Sequence, residues 1–426
     1  MRVLFVSYPE KTVFQYLVPL AWALRTAGHE VAFAGQGNFT DVITQAGLTA
    51  VPVSDNAEPW RVTNLTADQL ESERAGLPAP YDVADDPGKA TWEYLRDGYA
   101  DRVVGRYVME SIPMIPGLVS YARYWRPDLV VWESNCAAGP IAAKACGAAN
   151  VRVLFGQDIF GVTRAHYLRL RERQPDGDRA DPFADWLGEN ARAYGAEFSE
   201  DMVTGQATID QFPTSLQARA DGLRYLATQY VPYGGPAVVP RWLWEPPKRP
   251  RVGLTMGLSA TEHFNGYTVD MATLLTNLSE LDVEVVATVA DSVRERLGPL
   301  PDNVRTVSYV PLHALAPTCS AFVHHAGAAT LATVSRYGVP QLAVHLHFDQ
   351  PMYARRLAEH GAGIAIPNDE ATGRSVRDGV RRLLTEPTFR ERANELRDEI
   401  RAAPAPNEIV RQLEELATGH RSPVPG

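Results

Sequence analysis

Short apolar runs alternate with helical patterns along both halves of this chain. A continuous apolar run is typical of a strand buried on both faces, and connecting helices indicate a parallel sheet. In the first half we predict strands at 3–7, 29–34, 49–53, 129–133 and 151–155. In the second half we predict strands at 251–256, 283–289, 304–308, 320–323 and 341–346. The alternation predicts an α/β protein with two doubly wound domains.

Proline and glycine residues separate the two halves, because they cluster between positions 230 and 250. The predicted organisation is a first domain at 1–229, a linker at 230–249, a second domain at 250–400, and a C-terminal helix with a tail at 401–426. We expect the last helix, which follows Pro404 and Pro406, to pack back on the first domain. Residues 54–115 lack strand alternation and are interpreted as an insertion over the first sheet.

Charge and cysteine content argue against several classes of protein. The 426-residue chain carries a net charge of −10, which disfavours a nucleic-acid or anionic-membrane partner. Its three cysteines fit neither a disulfide framework nor a zinc cluster. The chain has neither a signal-peptide pattern nor an apolar run of roughly 18 residues, so we expect a cytoplasmic protein without a membrane span.

One loop in the second half has the composition of a phosphate site. A predicted strand at 320–323 leads into His324 and His325, then into the small residues 326–329 and Thr330, before a helical pattern begins. A small-residue loop at a helix N-terminus offers free backbone N–H groups and the positive end of the helix dipole. This loop is therefore predicted to bind a diphosphate.

Two polar residues follow the next predicted strand. Asp349 and Gln350 come shortly after the run at 341–346. We expect them to reach sugar hydroxyls on the same ligand, since open α/β sheets bind ligands outside the carboxyl ends of their strands. The combined pattern predicts a nucleotide-sugar site.

Segments along almost the whole chain resemble one family of enzymes. They lie at 17–24, 27–31, 47–53, 125–133, 204–210, 230–233, 239–243, 301–305 and 310–315. They resemble bacterial family 1-like glycosyltransferases that place deoxyaminosugars on macrolide and anthracycline polyketides. The resemblance implies the GT-B fold, in which two Rossmann-like domains face a cleft. It also implies an inverting enzyme of antibiotic biosynthesis that uses a dTDP-sugar and holds no metal or permanent cofactor.

The resemblance also implies partners and donor-binding residues. Many relatives need an auxiliary protein related to cytochrome P450, which docks on the N-terminal domain, and a homodimer is a further possibility. The donor-binding positions are Gly257, Ser259, Val310, Leu312, His325, Ala326, Gly327, Ala328, Ala329, Thr330, Asp349 and Gln350. The family normally has glycine where Ala326 and Ala329 stand, and a methyl group there is costly only if φ is positive.

The usual catalytic base is missing from the first loop. Inverting transfer needs a base for the acceptor proton, and the resemblance places a histidine where Val13 stands. Glu133, Asp158 and Glu10 are the alternative candidates. Two further possibilities stay open: the acceptor needs little help from a base, or the chain is a catalytically inactive partner in a biosynthetic complex. An epimerase-like enzyme on the same fold is a weaker alternative.

Aromatic and sulfur-containing side chains of the first half suit a flat or macrocyclic acceptor. The predicted acceptor-binding residues are Tyr8, Val13, Phe14, Trp92, Met114 and Phe160, with Met109 as a further candidate.

Overall fold

Two parallel β-sheets organise the computed structural model, which describes residues 1–55, 75–257 and 267–420. The seven strands of the first sheet are β1 (Arg2–Val6), β2 (Glu30–Gln36), β3 (Ala50–Ser54), β4 (Leu129–Glu133), β5 (Ala149–Val153), β6 (Thr208–Asp210) and β7 (Tyr225–Ala227). The six strands of the second sheet are β8 (Arg251–Thr255), β9 (Glu284–Thr288), β10 (Val304–Val307), β11 (Ala321–His324), β12 (Gln341–His345) and β13 (Gly363–Pro367).

Both sheets have the doubly wound strand order. The first runs β3-β2-β1-β4-β5-β6-β7 and the second runs β10-β9-β8-β11-β12-β13. The order therefore reverses between β1 and β4 in the first sheet and between β8 and β11 in the second. Ligands of open parallel sheets bind at this reversal, outside the carboxyl ends of the strands.

Helices cover both faces of each sheet. Those of the first half are α1 (Lys11–Thr26), α2 (Thr40–Gln45), α3 (Trp92–Gly98), α4 (Val104–Ser111), α5 (Ile115–Trp125), α6 (Ala138–Cys146), α7 (Ile159–Arg171), α8 (Pro182–Arg192) and α9 (Asp201–Thr204). Those of the second half are α10 (Met271–Ser279), α11 (Asp291–Arg294), α12 (Leu312–Leu315), α13 (Ala328–Ser335), α14 (Gln350–His360), α15 (Gly373–Thr385), α16 (Pro387–Ala402) and α17 (Val410–His420).

The apolar runs form central strands because helices bury them on both sides. Val3 and Phe5 of β1 pack into one core cluster, whereas Leu4 and Val6 point into another on the opposite face. Strand side chains alternate between the two faces of a sheet, so each apolar run contributes to two separate cores. Among the described residues, no helix has the length and apolar character needed to cross a bilayer.

The last helix, α17, packs on the first sheet although it follows the second in sequence. Val410, Leu413 and Ala417 lie in the same core cluster as the β1 residues Val3 and Phe5. The predicted return of this helix to the first half is confirmed.

The two halves face each other and are in direct contact. The backbone N–H of Gln157 donates to Oδ2 of Asp349 at 3.0 Å. The backbone N–H of Gly76 donates to the carbonyl of Leu346 at 2.8 Å. These contacts join the carboxyl edge of the second sheet to loops of the first half. The predicted fold class is confirmed, and the exact domain limits stay predictions.

Candidate functional site

The N-terminus of α13 has no side-chain cap. The helix begins at Ala328, and Gly327 precedes it in an extended conformation. The first N–H groups of a helix have no partner inside the helix, so those of Ala328, Ala329 and Thr330 are directed out of its start. The N-cap position of α13 is occupied by Gly327, and not by the serine, threonine or aspartate whose side chain usually satisfies such groups. This helix end therefore has the geometry of an anion site.

His324 holds the loop before this helix. Its Nδ1 accepts a hydrogen bond from the backbone N–H of Ala326 at 2.9 Å, and its Nε2 lies 2.8 Å from Oε1 of Gln341. The proton must therefore be on Nε2, which donates to the amide oxygen. Burial lowers the pKa of His324 to about 3, so the ring is neutral.

Only one of the two alanines that replace family glycines is strained. Ala326 has φ +60°, in the left-handed region, whereas Ala329 lies within α13. The left-handed conformation costs about 1–2 kcal/mol for a residue with a Cβ. Ala326 is fully buried, and burial of its methyl group contributes about 0.8 kcal/mol. The burial offsets part of the conformational cost, so alanine at this position costs about 1 kcal/mol or less.

His325 lies between two glycines. A Cβ on Gly257, which has φ +79°, would lie 2.7 Å from Cε1 of His325. A Cβ on Gly327 would lie 2.3 Å from its Nε2. Larger residues at either position would displace the imidazole ring. The two glycines therefore hold His325 beside the start of α13.

His325 is also neutral. Burial lowers its pKa to about 4, and the nearby His347 contributes in the same direction. Its buried Nδ1 has no hydrogen-bond partner among the described residues. His325 can therefore offer a hydrogen bond to a phosphate, but not a full positive charge. Ser259, the predicted residue on the other side of the diphosphate, lies outside the described residues.

Val310 and Leu312 follow Tyr309 at the edge of the second sheet. Val310 is buried, whereas Tyr309 is 43% exposed. A cavity of about 380 Å³ opens beside Tyr309. It is lined by Lys11, Phe14, Gln15, Val42, Gln45, Tyr233, Gly234, Gly235, Pro236, Ser308 and Tyr309. Tyr309 was not among the predicted site residues, although an aromatic residue directly before Val310 was the available signal.

Asp349 and Gln350 lie at the domain interface. Asp349 accepts its hydrogen bond from Gln157 of the first half, and burial raises the pKa of its carboxyl to about 6. Oε1 of Gln350 accepts a hydrogen bond from the backbone N–H of His347 at 3.1 Å. The two predicted sugar-binding residues therefore sit where the second half meets the first, close to the start of α13 in the fold.

Glu133 is buried at the carboxyl end of β4, next to the strand-order reversal. Its Oε1 accepts from the backbone N–H of Tyr8 at 3.1 Å, and its Oε2 accepts from that of Asn135 at 2.6 Å. Burial raises the pKa of Glu133 to about 7, against the opposite effect of these two hydrogen bonds. A carboxyl with this pKa can exchange a proton near neutral pH, as a general base must.

A second buried carboxyl, Glu110, lies near Glu133. Its Oε1 accepts from Nε of Arg106 at 3.3 Å, whereas its Oε2 has no hydrogen-bond partner among the described residues. Burial raises the pKa of Glu110, and its charge raises that of Glu133. The Arg106 guanidinium lies 5.7 Å from the ring of Phe348, the residue before Asp349. Glu110, Arg106 and Phe348 were not predicted as site residues. The spacing of Arg106 and Glu110, four residues apart, is typical of an ion pair on a helix.

Asp158 does not have the environment of a base. It is fully buried and accepts from Nη2 of Arg152 at 2.8 Å, from the Tyr225 hydroxyl at 2.6 Å and from the backbone N–H of Gly161 at 2.9 Å. It also caps the N-terminus of α7. Its lone pairs are occupied by structural partners, which argues against Asp158 as the base.

Glu10 caps the N-terminus of α1. Its carboxylate accepts from the backbone N–H of Thr12 at 3.1 Å and from the Thr12 hydroxyl at 2.8 Å. These contacts show a capping role that serves the helix itself. Among the three candidate bases, the geometry therefore favours Glu133.

The structure divides the predicted acceptor residues into two groups. Met114 is fully buried, and Trp92 packs at 5.4 Å from Tyr167 while its indole N–H donates to Asp178. The burial of Met114 and Trp92 in the core argues against contact with the acceptor. Phe14 packs at 4.8 Å from Phe33, but it also borders the cavity beside Tyr309. An aromatic or methionine residue type does not by itself distinguish a core position from a pocket wall.

Two of the other predicted acceptor residues have contacts at or near Glu133. Tyr8 is the residue whose N–H binds Glu133, and the ring of Phe160 lies 5.9 Å from the Arg106 guanidinium. Val13 is buried in the first turn of α1, and Met109 is about half exposed. Tyr8, Val13 and Phe160 therefore remain candidates for acceptor contact.

Two facing parallel sheets, with an uncapped helix start beside one and a buried carboxyl at the end of a strand of the other, have the architecture of glycosyltransferases of the GT-B class. The chain belongs to the erythromycin biosynthesis protein CIII-like family. The model of the family's N-terminal domain matches residues 22–257, and that of its C-terminal domain matches residues 272–416. The predicted family and enzyme class are confirmed.

Relatives match the chain over nearly its full length. It is 43% identical to 10-deoxymethynolide desosaminyltransferase of Streptomyces venezuelae, over 99% of both chains. It is 40% identical to aclacinomycin-T 2-deoxy-L-fucose transferase of Streptomyces galilaeus, over 99% of this chain and 97% of the relative. The solved structure of the glycosyltransferase VinC in complex with dTDP has a TM-score of 0.87 and 39% identity, and covers 98% of this chain and 100% of its own.

Proposed function

We propose that the protein transfers a deoxysugar, with inversion, from a dTDP-sugar to a polyketide-type aglycone in antibiotic biosynthesis. The observation that carries the proposal is the uncapped start of α13, with His325 held beside it by Gly257 and Gly327. The loop offers hydrogen bonds to a diphosphate without a fixed cation. The dTDP bound to VinC and the transferase names of the relatives support this donor and this reaction.

Glu133 is the base in this proposal. Its carboxylate takes the proton of the acceptor hydroxyl as that oxygen forms a bond to C1 of the sugar, and the bond from C1 to the diphosphate oxygen breaks. The electron pair of that bond leaves with dTDP, and the N–H groups at the start of α13 stabilise the developing charge. The Glu133 pKa of about 7 allows proton acceptance near neutral pH.

The remaining assignments concern the sugar and the partners. In the proposal, Asp349 and Gln350 bind the sugar, and Val310 and Leu312 frame the thymine. An aminodeoxysugar is favoured, since a desosaminyltransferase is among the relatives. We keep the auxiliary P450-like protein and a homodimer as proposals from the family resemblance. Transfer assayed with and without the auxiliary protein, and sedimentation of the purified chain, would test them.

Calorimetric titration tests the donor site. We expect wild-type protein to bind dTDP more tightly than UDP, because the site is proposed for thymine. His325→Ala should weaken dTDP binding about tenfold or more, the effect of losing a hydrogen bond to a charged group. His360→Ala, at the end of α14, is the matched control and should bind as the wild type does. If wild-type protein binds neither nucleotide, the proposed donor is wrong.

The inactive alternative is favoured by one observation, the valine at the position of the family's histidine. It predicts that no aglycone is glycosylated even when dTDP binds. A panel of macrolactone and anthracyclinone acceptors, assayed with a dTDP-deoxysugar, separates the two functions. Transfer by wild-type protein that is lost in Glu133→Gln supports the enzyme. Nucleotide binding without any transfer, also in the presence of the auxiliary protein, supports the inactive partner.

A further inference from the structure

Tyr16 of the first half lies against the diphosphate loop of the second half. It is on α1, three residues after Val13 and on the same face of the helix. Its side chain is 6% exposed and belongs to one core cluster with Ala326, Ala328 and Leu331. Tyr16 therefore brings α1 of the first domain into contact with this loop.

The rings of two residues and a hydrogen bond from a third fix the position of Tyr16. Its ring centroid lies 5.8 Å from that of Phe212 and 5.4 Å from that of Tyr230. Nε2 of Gln211 donates to the backbone carbonyl of Tyr16 at 3.2 Å, which holds this turn of α1. The phenol therefore has little freedom to turn away from the loop.

The Tyr16 hydroxyl meets the start of α13. It lies close to the backbone N–H of Ala329, one of the groups assigned to the diphosphate, and Asp349 is also near it. A hydroxyl can accept one hydrogen bond and donate another at the same time. Beside the start of α13, the Tyr16 O–H can donate to a phosphate oxygen bound there, and the helix N-terminus polarises it.

We propose that the Tyr16 hydroxyl donates a hydrogen bond to the leaving diphosphate, and that Tyr16 is a further catalytic residue of the transfer. The inference rests on the proposed function. Burial, Tyr230 and Asp349 raise the pKa of Tyr16, so the phenol keeps its proton at any working pH. The site needs such a donor, because His324 and His325 are both neutral and the leaving group gains negative charge as the bond to C1 breaks.

Tyr16→Phe isolates the hydroxyl, since the aromatic packing is kept. We expect its dissociation constant for dTDP to rise about tenfold or more, while that for thymidine changes by less than about twofold. The kcat of transfer should fall by a similar or larger factor, with the KM of the aglycone unchanged. Tyr230→Phe is the matched control, because its ring belongs to the same cluster and its hydroxyl contacts Thr333 inside α13. It should retain wild-type values for both ligands.

Two results would contradict the role of Tyr16, and a third would contradict the proposed function itself. Unchanged dTDP affinity and kcat in Tyr16→Phe would show that the hydroxyl does not touch the diphosphate. An equal loss of dTDP and thymidine affinity would show a structural role. If wild-type protein itself fails to bind dTDP, the proposed function fails, and this outcome is distinct from the other two.

Discussion

Glu133 is the single residue on which the rate of transfer should depend most. A base must be ionised, so we expect kcat to rise with pH along one proton's titration with a midpoint of about 7. Glu133→Gln keeps the shape of the side chain and removes the base, and kcat should fall about a hundredfold or more. Initial rates between pH 5.5 and 9 would measure both effects.

Glu10→Gln provides the matched control, because Glu10 is another candidate base of the first half. It should cost only part of a helix cap, about 1 kcal/mol of stability, and leave the midpoint of the pH profile in place. Calorimetry should show wild-type dTDP affinity in Glu133→Gln. A full rate in that variant would identify another base, or an acceptor that needs none.

At the scale of single elements, apolar patterns predicted ten of the thirteen described strands, whereas β6, β7 and β13 were not predicted. The run at 129–133 is fully buried, and only a central parallel strand accommodates five such residues in sequence. The local structure at 324–330 was also predicted, because the strand, the small-residue loop and the helix follow each other directly in the sequence. These features depend on neighbours in the sequence.

The partners of side chains were harder to predict. Asp158 follows a strand, as a catalytic acid would, but its role is set by Arg152 and Tyr225, whose contact with it depends on the folded sheet. Tyr16 joins the diphosphate loop only because the two halves face each other. Contacts between distant segments are not visible in a local pattern, so the partners of Asp158 and the place of Tyr16 were not predicted.

The helix α17 should stabilise the first half although it ends the chain. Leu413 is fully buried against the first sheet, and Leu413→Ala should lower the free energy of unfolding by about 2–5 kcal/mol. Leu416, on the same helix, is only partly buried, so Leu416→Ala should have a smaller effect. Thermal unfolding of both variants measures the difference. Equal effects would contradict the packing of this helix on the first sheet.

At the scale of the whole molecule, Asp349 joins the two halves, and the buried negative charge of its ionised carboxylate lowers the stability of the folded state. Its pKa is raised from 3.8 to about 6, so the folded state binds the proton more tightly than the unfolded state does. Stability should therefore fall as pH rises from about 4 to about 6. Asp349→Asn carries no charge, and we expect it to be more stable than wild type at pH 8 by about 1–3 kcal/mol. Unfolding at pH 8 and pH 4.5 measures this, and the difference should shrink at the lower pH.

Asp85→Asn is the control for Asp349→Asn. It removes a different carboxylate that joins the two halves, and it should not raise the stability at pH 8. Asp85 accepts from Nη1 of Arg355 at 3.2 Å, and this contact also joins the two halves. Its ion pair is partly exposed, so the variant should lose no more than about 1 kcal/mol. A loss of stability in Asp349→Asn at pH 8 would show that the carboxylate, once charged, strengthens the interface.

The two neutral histidines have a consequence for how donor binding responds to salt. Mobile ions weaken attraction between full charges over distances beyond about 8–10 Å at physiological ionic strength, but they act little on short hydrogen bonds inside a closed site. Among the described residues, the proposed site binds phosphate through backbone N–H groups, an uncharged imidazole and a phenol, and these groups carry no full charge for salt to screen. Ionic strength, which weakens most phosphate-binding proteins, should therefore have little influence on the affinity of this cleft for its nucleotide.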